Sequence, residues 1–163
     1  MSSLMTSIGL IDTLTEKIKQ WVTQYRLETT HRGVRKPPQV RQQFLPPKKR
    51  KEEQEIPDYP HVIVRYVRER IKDGTNLVQI HIIAGTVCDD HEVGFRDVLN
   101  VLTRIKNEML KQPTFGAFQI EEEGLSIDIP EEQYAPEWVG YIVAEYIIPK
   151  VQNEGGLPYV SQI

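Results

Sequence analysis

Residues 59–87 read YPHVIVRYVRERIKDGTNLVQIHIIAGTV, two apolar, β-branched runs on either side of Asp73-Gly74. In Tyr59–Arg70, Val62, Val64 and Tyr66 alternate with His61, Ile63, Arg65 and Val67, the period of two that marks a strand. An Asp-Gly pair between two such runs favours a tight hairpin, because the turn needs positive φ at both central residues. Leu77–Val87 returns with Leu77, Gln79, His81 and Ile83 opposite Val78, Ile80 and Ile82. The stretch predicts a long antiparallel β-ribbon. His81 falls on a strand face expected to be buried, as a hydrogen-bonded structural histidine.

Downstream, Asp89 and Glu92 stand at capping-box spacing ahead of a helix, with Asp in place of the usual Ser or Thr. Phe95, Val98, Leu99, Leu102, Ile105 and Met109 form its expected buried stripe, while Arg96, Asp97, Asn100, Arg104 and Glu108 face away. Pro113 follows its end. Ala117–Ile129 reads as a third strand region broken by Gly124, and Trp138–Pro149 as a fourth, with Glu131–Pro136 joining them. Residues 152–163, with Gly155-Gly156 and Pro158, are expected to be loosely held.

Upstream, Ser2–Arg26 reads as an amphipathic helix, capped by Ser2 or Ser3. Its stripe is Ile8, Ile11, Leu14, Ile18, Trp21 and Tyr25; Thr15, Glu16, Lys19 and Gln20 fill the other face. Gly33, Pro37 and Pro38 mark the exit. Gln39–Leu45 suggests a short strand ended by Pro46 and Pro47. Residues 46–55 are polar and charged and read as an exposed basic and acidic loop.

The order is helix, short strand, loop, two strands, helix, two strands. It predicts an α+β fold: an antiparallel sheet with a long β-hairpin, one helix packed across it and an N-terminal helix. The chain has 163 residues, 39% hydrophobic and 26% charged, as expected for a single soluble domain over 1–163. No apolar run is long enough to span a membrane. The start lacks a secretory pattern, which points to the cytoplasm of the producing cell. The single cysteine, Cys88, can form no intrachain disulfide and is expected to be buried. Residues 1–55 carry 11 Lys and Arg against 6 Asp and Glu, and residues 56–163 carry 9 against 17. Such a chain suits head-to-tail contact between copies, basic end to acidic end.

Three stretches then carry a resemblance: YPHVIVRYVRERIKDG, LVQIHIIAGTVCDDHEVGFRDVLNVLTRIKNEML and EQYAPEWVGYIVAEYIIPKV. From residue 59 onward, about two thirds of the chain, the sequence resembles the tail terminator proteins of long-tailed (siphovirus-type) bacteriophages. The shared pieces are a Tyr-Pro-x-Val-Ile-Val strand, a hairpin partner ending in Gly-Thr, and an acidic turn. A Gly-Phe-Arg-Asp-Val-Leu-Asn helix and a closing Trp-Val-Gly-Tyr strand follow. The resemblance implies a structural virion protein of the tail and neck, not an enzyme, made in the host cytoplasm. It implies a homo-hexamer ring that caps the tail tube and stops its polymerisation. Its partners would be the major tail tube protein and the head–tail connector or stopper. Phage DNA would pass through the ring without sequence-specific binding. A head-completion or neck protein, or a tail tube protein, of the same virion is the alternative.

Lys48, Lys49, Arg50 and Lys51 match no family motif. In form they fit a nuclear localisation signal, which makes a nuclear nucleic-acid-binding module a further alternative. No aromatic residues interleave to stack bases. In a virion the run becomes a candidate contact with a partner or a neighbouring subunit. Cys88, Asp89, Asp90, His91 and Glu92 are the one dense set of metal-ligand types, but consecutive residues diverge and no second half of a site exists. Acidic residues at a helix start explain them better. Ser7, Ser126 and Ser161 have no nucleophile motif around them, and His31, His61, His81 and His91 no shared context. Glu121-Glu122-Glu123 and Glu131-Glu132 read as a solvated acidic surface. No phosphate loop is present. No catalytic residue, metal or cofactor is expected.

Overall fold

A computed structural model describes residues 5–30, 33–47 and 58–151. Its elements are α1 (Ser7–Val22), β1 (Leu27–Glu28), β2 (Arg35–Lys36), β3 (Gln39–Gln42), β4 (His61–Lys72), β5 (Thr75–Val87), α2 (Phe95–Lys111), β6 (Thr114–Phe115), β7 (Phe118–Asp128) and β8 (Glu137–Ile148). The fold is α+β. Six strands form one sheet in the order β3-β4-β5-β8-β7-β6, antiparallel except where β3 lies parallel to β4. Both helices pack on one face of it and against each other.

The hairpin forms as its sequence dictates. Asp73 and Gly74 take φ of 52° and 76°, the paired positive values of a tight two-residue turn. Val62, Val64, Val78, Ile80, Ile82 and Ala84 turn to the helix face and are fully covered. The ladder shifts by one residue between Tyr66 and Arg68, so Val67 is a bulge. β8 continues the sheet in unbroken register on β5, from Asn76↔Ile148 to Val87↔Glu137. β7 pairs with β8 in two pieces, with the register broken between Glu121 and Ser126. Gly124 lies in that break at φ 89°, where a side chain would be strained.

α2 covers the sheet through Val98, Val101, Leu102, Ile105 and Met109, all buried. Phe95 and Leu99, expected in that stripe, lie only half-buried at its margin. Gly140 on β8 makes the flat seat for the helix: a Cβ there would come within 2.9 Å of the Leu102 side chain. The expected capping box does not form. Gly94 occupies the N-cap with no side-chain cap, and the Asp90 carboxylate instead accepts from the Glu92 N–H at 2.8 Å, inside a turn that precedes the helix. The extra turn is needed to carry the chain over Trp138. The indole of Trp138 occupies the space where a Cβ at position 94 would sit, 2.2 Å away, and donates from Nε1 to the Cys88 carbonyl at 2.9 Å.

α1 starts at Thr6, whose hydroxyl accepts from the Gly9 N–H at 3.2 Å, and ends at Val22, well short of Arg26; Ser2 and Ser3 lie outside the described residues. Its buried stripe is Leu10, Ile11, Leu14, Ile18 and Val22. Ile8, expected inside, is 67% exposed. Helical spacing permitted either Ile8 or Leu10; the choice went to Leu10, in line with Leu14, Ile18 and Val22 at steps of four. Thr15 is buried because its hydroxyl donates back to the Ile11 carbonyl at 2.7 Å. After α1 the chain makes a small ribbon, β1 with β2, where an irregular exit was expected.

Leu102 is fully buried between α2 and β8. Leu102→Ala is expected to destabilise the fold by about 2–5 kcal/mol, read as a lower urea midpoint. Gly94→Ala should also destabilise, despite alanine's better helix propensity, because the Trp138 indole must move. A Gly94→Ala protein as stable as the parent would refute that packing.

Candidate functional site

Lys48, Lys49, Arg50 and Lys51 lie outside the described residues, as does the rest of residues 48–57. The two flanks of that segment are described, and each is held. On the outgoing side, Gln43 sits just past β3 at φ 65°. Its backbone N–H donates to the Val64 carbonyl at 3.0 Å. Its side-chain amide accepts from the Tyr66 N–H and donates to the Tyr66 carbonyl at 3.3 Å, standing in for one more residue of strand. Arg65 Nε donates to the Gln43 carbonyl at 2.9 Å, and its guanidinium lies 4.6 Å from the centre of the Phe44 ring.

On the returning side, the Asp58 carbonyl lies 3.0 Å from His61 Nδ1 and accepts from Gln39 Nε2 at 3.1 Å. The Gln39 N–H donates to the Pro60 carbonyl at 3.1 Å. The Tyr59 ring lies tilted against His61 with ring centres 4.7 Å apart, and its hydroxyl donates to Glu137 at 3.3 Å. Burial, reinforced by the Glu137 carboxylate, pushes the Tyr59 hydroxyl up to about 12. Since β3 and β4 are parallel, residues 43–60 leave beside Val64 and return beside Gln39. The described flanks on either side of residues 48–57 are thus both bonded to the β3–β4 pair.

The sheet face without helices carries a mixed surface. Rows across it are Arg65, His81, Val143 and Ser126, then Ile63, Ile83, Tyr141 and Asp128. His81 stacks on Tyr141 at 5.6 Å. His81 is therefore half-exposed on the open face, and the expected buried structural histidine is instead His61, 5% exposed. The bulge-free alternation of β5 turned Val78, Ile80 and Ile82 to the helices and left His81 on the other side. Desolvation, with the nearby Arg65 charge, lowers the His81 pKa. Arg70 and Glu145 form an ion pair at 3.0 Å lower on the same face.

Charge is divided across the sheet. Arg41, Arg65, Arg68, Arg70 and Lys72 lie on β3 and β4, at the edge that also carries the flanks of the basic run. Glu121, Glu122, Glu123 and Asp128 lie on β7, and exposed Glu131 and Glu132 on the β7–β8 connection. The strand order puts β5 and β8 between the two groups. This division differs from that of the sequence halves, because Arg65, Arg68, Arg70 and Lys72 belong to the net acidic stretch 56–163.

Cys88 is half-buried rather than buried, because it lies in the loop after β5 where its backbone is bonded to Pro136 and Trp138. No group of three or more metal-ligating side chains occurs among the described residues. No helix among them is long and apolar enough to cross a membrane. A scan against protein-family models and a search of curated proteins each find no match to the chain.

Burial lowers the pKa of His61 from its ordinary value, against weaker opposing effects of Asp58 and Glu137. The unfolded chain takes up this proton near pH 6.5, and the folded chain only at lower pH. Stability is therefore expected to fall as pH drops through about 6.5. Thermal midpoints measured from pH 7.5 to 5.5 check this, and His61→Asn should reduce the loss on acidification.

Proposed function

We propose that the chain is a structural, non-enzymatic subunit of a long-tailed phage virion. In this reading it is a tail terminator that forms a ring, most simply of six copies, on the end of the tail tube. The ring stops tube polymerisation and meets the head connector, and DNA passes through it without sequence-specific contacts. The observation that carries the reading is the opposition of charge across the sheet: β3 and β4 carry five basic side chains against the single acidic Glu69, and β7 carries acidic ones alone. A head-to-tail contact between such edges generates a ring when its rotation closes, and an open filament when it does not. The resembling stretches support the same reading, because they occupy β4, β5 with α2, and β8, the elements that build the central sheet. Contacts between exposed charges weaken beyond a Debye length of about 10 Å at 0.1 M salt, so assembly should be salt-sensitive.

Two measurements test the proposal. Images of the concentrated protein at low salt should show closed rings that disperse as salt is raised, and antibody against the chain should label the head–tail junction of particles. Label along the tube, or none on the particle, would end the terminator reading. Replacing Lys48, Lys49, Arg50 and Lys51 together by Ser should preserve the fold yet leave separate heads and tails in a lysate. An undiminished yield of joined particles would remove the basic run from the contact.

A further inference from the structure

On the open face of the sheet, Arg68 on β4 begins a row that continues through Gln79 on β5 and Glu145 on β8 to Glu121 on β7. Arg68 and Glu121 therefore stand at one height along the strands, at opposite ends of the row. Both edges are uncovered at that height among the described residues. β3 ends opposite Val64, and the Gln43 side chain extends its pairing only to Tyr66. β6 pairs only with Phe118 and Gln119, and the Ile120 N–H donates to the Pro113 carbonyl at 2.8 Å. Both edges are also bulged beside the same central pair, Ile80 and Ala144. On β4, Val67 is the extra residue next to Arg68. On β7, residues 122–125 stand against Ala144 alone, so exposed Glu122 and Glu123 belong to no ladder pair.

The charges at this height are not balanced within the subunit. Glu121 lies half-buried directly across from Glu145, a pairing of like charges that destabilises a sheet. Glu145 has its cation in Arg70, at 3.0 Å. Glu121, Glu122 and Glu123 have none among the described residues. Arg68 donates from Nε to the neutral Gln79 amide at 3.0 Å and meets no carboxylate among those residues. The Glu69 carboxylate, next in the chain, is on the helix face opposite Val78, where Ser7, Tyr66 and Asn76 donate to it. The β4 end of the open-face row is thus basic and unpaired, and the β7 end acidic and unpaired.

We infer that neighbours in the ring meet where Arg68 of one copy packs against Glu122 and Glu123 of the next, with Glu121 behind them. The inference rests on the ring reading above and adds to it the groups that meet and the direction of the strands. A closed ring has no rise from copy to copy along its axis. Groups that touch must then stand at equal heights along that axis. With the strands running along the axis, Arg68 and Glu121 share a height, and they meet when the β4 edge of one copy follows the β7 edge of another. A guanidinium placed among several carboxylates makes charge-assisted hydrogen bonds to more than one of them. The rows to either side end on Arg70 and Gln119, and on Arg65 and Ser126, so neither opposes like charges.

Charge reversal in the full-length protein tests the contact, read by sedimentation velocity and electron images at low salt. One variant is Arg68→Glu, and the other combines Glu122→Lys with Glu123→Lys; all three positions are exposed. Each variant should assemble at least about tenfold more weakly than the parent, with an unchanged circular dichroism spectrum. An equimolar mixture of the two should regain rings of even copy number, because acidic and basic edges then face each other only when the variants alternate. Rings as stable as the parent's from either variant alone would overturn this contact and leave the ring reading standing. Loss in both variants without recovery in the mixture would overturn it as well. A parent that forms no ring would sink both readings together.

Discussion

Everything in the fold depends on β5 being apolar on one face along most of its length while pairing on both edges. Val78, Ile80, Ile82 and Ala84 must be covered, and they are covered only if a helix lies across them. The two edges of β5 take β4 and β8 in long registers, so neither neighbour can slip without exposing its own core side chains. α2 then has one place to go, over the seat that Gly140 provides, and α1 closes the remaining flank through Leu10, Leu14 and Ile18. The Trp138 indole, packed on Gly94 and bonded to the Cys88 carbonyl, fixes where α2 begins. The start of the helix is thus set by one aromatic side chain and one missing methyl group.

The parts legible in the sequence are those governed by local chemistry. The Asp73-Gly74 turn, the alternation in β4 and β5, and Val98, Leu102, Ile105 and Met109 of the α2 stripe follow from spacing alone, whereas buried Val101 was not among the residues read from it. The parts that were not legible depend on a partner distant in sequence. Ile8 and Leu10 offered equivalent helical faces, and only the packing of α1 on α2 and β4 separates them. Asp89 and Glu92 stood at capping distance, but the Trp138 ring demanded a further turn before the helix. Gln39–Gln42 was readable as a strand; its parallel pairing with β4 was not, because nothing local encodes the direction of approach.

The same distinction governs the candidate site. The basic and acidic halves of the chain were countable, but the basic β4 and the acidic β7 both lie in residues 56–163, and their separation comes from strand order, which inserts β5 and β8 between them. His61 stands between Pro60 and Val62, and His81 between Ile80 and Ile82, each in a run rich in β-branched residues. One is enclosed by Tyr59, Gly85 and the returning loop, and the other rests on Tyr141 in the open. The Gln43 amide, bonded to both backbone groups of Tyr66, had no sequence signal beyond a polar residue near a strand end.

That amide clamp separates the sheet from whatever follows it in the chain. Gln43 and Asp58 are both fixed to the β3–β4 pair before the intervening segment begins and after it ends. Joining two such fixed posts by a flexible chain costs closure entropy that rises by only about 0.6 kcal/mol for each doubling of length. Residues between Phe44 and Asp58 can therefore lengthen, shorten or change composition at little cost to folding. Selection can work on that insert almost independently of the core, as on a replaceable cartridge.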